Sequence, residues 1–252
     1  MSPFEIETIA CLKDNYAYLV SADGLCAVVD PSEAKPVAEA LAARGLRLTH
    51  ILNTHHHWDH TGGNLALKEA FGAEVVGPGK DRGRIPAIDV GVDEAGGWRF
   101  GAHTVGVLEV PAHTSGAIAF VFDDAVFTGD TLFAMGCGRL FEGTPAVMQA
   151  SLGKLTALPD TTKVYCGHEY TLNNGRFALT LESGNARLRE RMSEVEALRQ
   201  AGTPTMPSTI GLEKQTNPFL RTGSGEIRAA LGMEHSHDVE VFAEIRRRKD
   251  AF

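Results

Sequence analysis

Short runs of alternating apolar and polar residues, separated by turn-forming residues, fill the first two thirds of the chain. Such alternation over about four to eight residues predicts β-strands. The tripeptide Ala22-Asp23-Gly24 lies between two of these runs and predicts a hairpin. The predicted strands cover residues 4–9, 16–20, 25–29, 48–53, 73–77, 103–110, 117–122, 125–128 and 163–166.

Two short helices are predicted within this strand-rich part. Residues 37–44 and 64–71 carry apolar side chains at helical spacing, and Gly45 and Gly72 follow them as stop signals. Many strands with few helices indicate sheets that pack on each other and are covered by helices.

The pattern becomes helical after about residue 170. Apolar residues recur at helical spacing over residues 188–198, so this helix has one buried face. A last helix is predicted over residues 236–249, with Ser236 or Asp238 as its N-cap. We therefore predict two domains, a β-rich domain over residues 1–169 and a helical domain over residues 170–252.

Composition and charge narrow the class of protein. The hydrophobic fraction of 43% and the charged fraction of 22% are typical of a soluble globular protein. No apolar run approaches the roughly 18 residues of a membrane span, and MSPFEIETIA lacks the pattern of a signal peptide. The four cysteines form no CxxC pair, which favours reduced thiols in a cytoplasmic protein. The formal net charge of -8 argues against nucleic acid as a partner.

The densest chemistry lies in THHHWDH, residues 54–60, at the end of a predicted strand. Alternate side chains at a strand end point the same way, so His55 and His57 can bind one metal ion. The chain then turns through Thr61-Gly62-Gly63, where glycines permit close backbone approach and unusual φ values. This turn directs Asp59 and His60 toward a second point nearby.

The other two side chains of this segment are expected to face away from the ions. We expect His56 to pack against or hydrogen-bond the ligand loop, and Trp58 to pack rather than to stack on substrate. The remaining isolated histidines are expected to be surface or satisfied core residues: His50, His103, His235 and His237.

Three more candidate ligands follow predicted strands. His113, Asp130 and His168 each come directly after an apolar run and beside a small residue or a turn. Functional side chains are often found in loops at the strand ends of a rigid scaffold.

HxHxDH followed by a distant His, Asp and His resembles the metallo-β-lactamase superfamily, over about residues 16–168. The resemblance implies an α/β fold, a four-layer αββα sandwich, with a site for two metal ions. It also matches Asp30, in VVDP, to an aspartate that supports the ligands without binding metal. The implied ligands are His55, His57 and His113 for one ion and Asp59, His60 and His168 for the other, with Asp130 and a water or hydroxide bridging them.

Longer motifs narrow the resemblance to one family. THHHWDHTGGN, GDTLFAMGCGRLFEGT, YCGHEYTLNN, TNPFLR and the terminal RRRKD resemble glyoxalase II, the hydroxyacylglutathione hydrolases, over nearly the whole chain. The resemblance implies hydrolysis of S-(2-hydroxyacyl)glutathione, typically S-D-lactoylglutathione, to glutathione and D-lactate, the second step of methylglyoxal detoxification. The bridging hydroxide is the implied nucleophile, oriented by Asp59. Zinc is the expected ion, and iron and manganese stay open because every ligand atom is nitrogen or oxygen.

Glutathione carries two carboxylates, so an acidic enzyme needs local cations to bind it. The resemblance implies a substrate-binding set of Arg139, Tyr170, Arg246 and Lys249. Arg246 and Lys249 are three residues apart and share a helix face. The family often has Lys at the position of Arg139 and Tyr at that of Phe141. Arg still holds a carboxylate, whereas Phe141 lacks the hydroxyl for one hydrogen bond, a loss of about 0.5–1.5 kcal/mol.

Two other functions are weighed against this hypothesis. A mono-iron glutathione persulfide dioxygenase belongs to the same superfamily, but the continuation LFEGT after GCGR and the helical tail favour the hydrolase. A metal-dependent nuclease is disfavoured by the acidic balance and by the lack of an extended basic stripe. The oligomeric state and the range of acyl groups are left open.

Overall fold

The computed structural model describes residues 4–252, and the chain divides into two compact units. The first unit comprises Met1–Glu109 and Gly116–Gly129, and the second comprises Val110–Ser115 and Asp130–Phe252. The predicted domain boundary near residue 170 stays a prediction.

Strands dominate the chain up to residue 137, and helices dominate after it. The strands are β1 Glu5–Cys11, β2 Asn15–Ala22, β3 Leu25–Val29, β4 His50–Leu52, β5 Glu74–Pro78, β6 Val90–Val92, β7 Trp98–Phe100, β8 His103–Glu109, β9 Ile118–Phe122, β10 Ala125–Gly129, β11 Leu132–Phe133, β12 Gly136–Cys137, β13 Lys163–Cys166 and β14 Ser208–Thr209. The helices are α1 Ala34–Arg44, α2 Trp58–Thr61, α3 Asn64–Phe71, α4 Pro145–Thr156, α5 Thr171–Leu181, α6 Ala186–Gln200, α7 Ile210–Thr216, α8 Gly225–Leu231 and α9 Asp238–Ala251, with two short 3-10 turns, Gly79–Asp81 and Pro218–Leu220.

A six-stranded sheet in the order β1-β2-β3-β4-β5-β6 forms one layer of the first unit. Its first three strands are antiparallel, and β3 to β6 run parallel. Parallel strands bring their carboxyl ends to one sheet edge. Since Val29 pairs with Leu52, the residues that follow β3 and β4 leave the sheet side by side. This register places Asp30 next to the histidine segment.

The strands β7 to β10 form an antiparallel meander in the same unit. Aromatic side chains join it to one face of the six-stranded sheet, with Tyr18 and Phe127 ring centroids 5.5 Å apart and His50 and Phe100 centroids 5.3 Å apart. The helices α1 and α3 cover the other face of that sheet, where apolar side chains such as Leu41 form one buried core cluster. This unit therefore stacks helices, a sheet and a second layer of strands.

The second unit is mainly helical. Side chains of α5 and α6 surround Met135, which belongs to a buried cluster with Leu188, Met192 and Val195. Helix α9 packs against α4 and α8, and β11 and β12 form a short hairpin that contacts α5. The hairpin leads directly to Arg139, so these helices lie against the backbone of a predicted substrate-binding segment.

Most predicted elements of regular structure are present. Helices α1 and α3 end at Gly45 and Gly72, whose φ values of 63° and 69° suit glycine. The predicted N-cap of the last helix was wrong by one residue. His237 caps α9, and Glu240 completes a capping box.

Several short strands lay beyond the hydrophobic pattern. The short strands β6, β7, β11, β12 and β14 were not predicted, because two or three residues carry too little periodicity.

Among residues 4–252, no helix is both long and apolar enough to cross a membrane.

Candidate functional site

Asp30 organises the histidine segment of the first unit. It is buried, directly follows β3 and has a φ of 49°, which turns its carboxylate toward the neighbouring strand end. Its Oδ1 accepts from the Thr54 amide at 2.8 Å, and its Oδ2 accepts from the Thr54 hydroxyl at 2.7 Å. Oδ2 also lies 3.0 Å from Nδ1 of His60. Since a carboxylate only accepts, His60 carries its hydrogen on Nδ1 and offers Nε2 to a metal.

The same carboxylate sets the tautomer of His55 through Thr54. The Thr54 hydroxyl hydrogen is engaged by Asp30, so its oxygen accepts from Nδ1 of His55 at 3.0 Å. The lone pair of His55 is then on Nε2, which lies 3.2 Å from Nδ1 of His57. The two imidazoles converge, as the alternation of side chains predicted, and their binding of one shared cation stays a prediction.

Asp59 is held by two side chains from neighbouring segments. Asn15 donates to its backbone carbonyl at 3.0 Å and to Oδ2 at 3.1 Å, and Ser32 donates to the same carbonyl at 2.5 Å. Oδ2 of Asp59 lies 3.7 Å from Nε2 of His60, so these two candidate ligands face one point. Nothing in the sequence motif pointed to Asn15 or Ser32.

Gly62 and Gly63 act through size and not through unusual backbone angles. They do not use the unusual φ values that glycine permits, because their φ values are -61° and -82°. A side chain on Gly62 would overlap the Ser32 carbonyl, and one on Gly63 would overlap the Pro31 carbonyl. The close backbone approach that the sequence also predicted is therefore confirmed.

His56 points away from His55 and His57, as expected. Its Nδ1 donates to Oδ2 of the buried Asp81 at 3.0 Å, and Arg84 contacts its other nitrogen. A side chain on Gly116 would overlap the Asp81 carboxylate, so this pair lies tightly against backbone. Nothing in the sequence pattern pointed to Asp81.

The expectation for Trp58 was wrong. Its side chain is 71% exposed and does not pack in the core. Helix α2 begins at this residue, so the period of the side chains changes from two to that of a helix. The alternation of side-chain directions therefore ends at His57.

In the second unit, Asp130 lies between two histidines. Its Oδ2 is 3.4 Å from Nε2 of His113 and 3.3 Å from Nε2 of His168. Nδ1 of His113 donates to the Arg139 carbonyl at 2.9 Å, which leaves Nε2 as the lone-pair nitrogen. The Asp130 carboxylate thus occupies the position of a group that two cations could share.

The predicted substrate-binding residues lie in the second unit and differ in exposure. Arg139 is exposed, and Tyr170 is 38% exposed with its ring stacked on His168 at 4.6 Å between centroids. Phe141 is 60% exposed, and its ring lies 5.2 Å from that of His113. The rings of Tyr170 and Phe141 border His168 and His113.

The two predicted cations of α9 have different surroundings. Arg246 is buried, and its guanidinium donates to the Cys137 carbonyl at 2.9 Å and to Asp250 at 2.7 Å. Nζ of Lys249 lies 5.4 Å from the Phe177 ring centroid and 5.1 Å from that of Phe252. Burial, followed by the charge of Arg246, lowers the pKa of Lys249 to about 8.

The donors of both units fit divalent metal ions. They are imidazole nitrogens and carboxylate oxygens, which suit zinc, iron and manganese. The thiols of Cys137 and Cys166 do not compete as thiolate ligands for the metal ions, since burial raises the pKa of each to about 12. All four cysteines are buried free thiols.

Two family models match the chain. Residues 13–168 match the metallo-β-lactamase superfamily, and residues 169–252 match the C-terminal region of hydroxyacylglutathione hydrolase. The hydroxyacylglutathione hydrolase of Methylococcus capsulatus is 58% identical, over 98% of both chains. That of Cereibacter sphaeroides is 54% identical, over 99% of this chain and 100% of its own.

Solved structures share the fold. TTHA1623, described in a di-iron-bound form, is 28% identical with a TM-score of 0.60, and the alignment covers 86% of this chain and 100% of that chain.

Proposed function

Because the chain belongs to the hydroxyacylglutathione hydrolase family and has the metallo-β-lactamase fold, we propose that it hydrolyses the thioesters of glutathione with 2-hydroxy acids. The products are glutathione and a 2-hydroxy acid, with S-D-lactoylglutathione and D-lactate as the reference pair in methylglyoxal detoxification. The observation that carries the proposal is the 58% identity over 98% of both chains, which includes both matched family regions.

The proposed metal centre holds two divalent ions, with zinc as the reference. The proposed ligands are His55, His57 and His113 for one ion, Asp59, His60 and His168 for the other, and Asp130 for both. Three observations support this set. Asp30 directs Nε2 of His55 and of His60 away from itself, Asp130 faces two Nε2 atoms, and the relative TTHA1623 is described as di-iron-bound.

When bound, such ions lower the pKa of a shared water and polarise the thioester carbonyl. The protein contributes orientation. Asp59, fixed by Asn15 at 3.1 Å, is proposed to orient the attacking oxygen, and Asp130 places a negative charge between the two histidines. The leaving group is a thiolate of modest pKa, so no dedicated general acid is required.

Four side chains of the second unit are proposed to bind the glutathione moiety. Arg139 and Lys249 offer charges to its carboxylates, and Tyr170 offers a hydroxyl beside His168. Arg246 is proposed to add charge while it holds the Cys137 carbonyl. Phe141 offers only an apolar ring, so the hydrogen bond of a tyrosine is missing here.

The mono-iron persulfide dioxygenase is the second candidate. The relatives named hydroxyacylglutathione hydrolase match the whole chain at high identity, which favours hydrolysis. A cytoplasmic location is also proposed, since four buried free thiols suit a reducing compartment.

One assay tests the hydrolase proposal. Purified protein loaded with Zn²⁺ is given S-D-lactoylglutathione, and thioester loss, free thiol and metal content are measured on the same sample. We expect one thiol released per thioester lost and about two metal ions per chain. Oxygen uptake with glutathione persulfide and one iron per chain in the protein as purified, with no thioester loss in the Zn²⁺-loaded sample, would replace the proposal by the dioxygenase.

A further inference from the structure

The backbone of residues 132–139, here called the hairpin segment, is held by side chains of the C-terminal helices. Asn217 donates through Nδ2 to the carbonyls of Phe133 and Gly136, at 3.1 and 2.9 Å. Glu213 accepts from the Met135 amide at 2.7 Å. Asn217 also donates to Glu213 at 3.1 Å, so the two side chains form one connected pair.

Two further side chains complete the contacts. Asn174 donates to the Ala134 carbonyl at 3.1 Å, and Arg246 donates to the Cys137 carbonyl at 2.9 Å. The hairpin thus has its polar backbone atoms paired with side chains as well as with its own short ladder. Glu213 and Asn217 are at most 1% exposed, so water cannot replace their hydrogen bonds.

The hairpin segment ends against the candidate metal ligands. A side chain on Gly138 would overlap the Asp130 carbonyl oxygen and would come within 3.0 Å of Nδ1 of His113. The next carbonyl, that of Arg139, accepts the Nδ1 hydrogen of His113. A shift of this backbone therefore moves the acceptor that orients His113, and it moves the Arg139 side chain with it.

We propose that Glu213 and Asn217 are positioning residues for the metal centre and for the glutathione-binding segment. They act through the backbone of the hairpin segment, which fixes the His113 imidazole and the base of Arg139. Supporting groups behind metal ligands commonly change metal affinity or activity by about 10–100-fold when they are removed. The expected change in KM rests on the proposed function, whereas the expected change in Zn²⁺ affinity is independent of the substrate.

Asn217→Asp gives the sharpest test because it preserves shape. It keeps the Oδ1 acceptor for the Phe219 amide at 3.1 Å but removes the hydrogens donated to Phe133 and Gly136. We expect Zn²⁺ affinity, measured by competition with a chelator, to fall about 10–100-fold. We also expect KM for S-D-lactoylglutathione to rise, because Arg139 is displaced.

Asn185→Asp is the matched control. Asn185 also caps a helix through Oδ1, and its Nδ2 donates to Glu182 and to the Gln215 carbonyl, both at 2.8 Å. These partners lie outside the hairpin segment. Asn185→Asp should lower the melting temperature while leaving Zn²⁺ affinity and KM within about threefold of wild type. Equal changes in Zn²⁺ affinity in the two variants would overturn the proposal.

A pair of substitutions at Glu213 covers the case in which Asn217→Asp does not fold. Glu213→Gln keeps an oxygen acceptor for the Met135 amide, whereas Glu213→Ala removes it. We expect Gln to retain Zn²⁺ affinity within about threefold and Ala to lose about tenfold or more. Wild-type Zn²⁺ affinity in the Ala variant, or an equal loss in both variants, would refute positioning through this hydrogen bond.

The two proposals can fail separately. A wild-type protein that binds Zn²⁺ but leaves the thioester intact refutes the proposed function, and the Zn²⁺ affinities still decide the role of Glu213 and Asn217.

Discussion

The two groups of candidate metal ligands are built in opposite ways. In the first unit, four ligands lie within six residues, and one carboxylate, Asp30, fixes two of them from the neighbouring strand end. In the second unit, His113, Asp130 and His168 lie far apart along the chain. The Arg139 carbonyl accepts from His113, and Oδ2 of Asp130 lies 3.4 Å from Nε2 of His113 and 3.3 Å from Nε2 of His168. Two of the four ligands in the compact group depend on Asp30, while we propose that the dispersed group depends on side chains that hold the backbone of the hairpin segment.

The largest effect is expected inside the compact group. His57→Ala should abolish metal binding and turnover, because its Nδ1 faces Nε2 of His55 at 3.2 Å. His56→Ala should keep a substantial fraction of both, since its ring contacts Asp81 and Arg84. Metal content and turnover of the two purified variants check this, and equal metal loss would show that the side chains do not alternate as inferred.

Asp30→Asn tests the dependence on a single residue. The carboxylate accepts from the Thr54 amide through Oδ1 and from the Thr54 hydroxyl and His60 through Oδ2. An amide has one acceptor oxygen and cannot serve both sides, so the support of the two histidine tautomers is weakened. We expect Zn²⁺ affinity to fall by about 100-fold, the upper end for groups that support metal ligands. Chelator competition measures it. A smaller loss than in Asn217→Asp would contradict the contrast drawn between the two groups.

Substitution of Lys249 tests the proposed binding of substrate by the second unit. Lys249→Ala should raise KM far more than it lowers kcat, as expected when a contact is lost that ground state and transition state share equally. Steady-state kinetics with S-D-lactoylglutathione measures both, and an unchanged KM would remove Lys249 from the binding site.

The pKa of Lys249 adds a pH dependence. Below about pH 8 its ammonium is charged and can bind a carboxylate, and above that pH it becomes neutral. We expect kcat/KM, which reports the free enzyme, to fall above about pH 8 through a rise in KM. Lys249→Arg stays charged and should remove this fall. The same fall in Lys249→Arg would assign it to another group.

The lowered pKa of Lys249 makes stability rise with pH, whereas it makes kcat/KM fall. Between the folded value of about 8 and the ordinary 10.5, the unfolded chain binds more protons than the folded one at Lys249. The contribution of this residue to stability therefore rises with pH across that window. Thermal melts of wild type and Lys249→Arg at several pH values measure it.

The smallest effect is expected at Phe141. Phe141→Tyr supplies a hydroxyl beside His113, whose ring lies 5.2 Å away. One added hydrogen bond to glutathione is worth about 0.5–1.5 kcal/mol, or a KM lower by about 2–10-fold. Kinetics with and without added glutathione as inhibitor would show it, and unchanged inhibition would place the hydroxyl outside the binding site.

The hydrophobic pattern and the motifs predicted a large part of this molecule. Alternation and glycine stops predicted most strands and the helices α1 and α3, because these signals act within a few residues. The same locality explains why His56 could be separated from His55 and His57. Trp58 was misjudged because a helical turn begins there, and the change of period is invisible in so short a segment.

The sequence by itself determined the chemistry of the donors: histidines and aspartates at strand ends, with no thiolate among them. Only the tertiary structure decided which nitrogen of each imidazole is offered and which side chains hold the backbone behind it. Asn15, Asp81, Glu213 and Asn217 received no role from the sequence, because their partners lie far away along the chain. A hydrogen bond depends on distance in space, and that distance is set only when the elements pack.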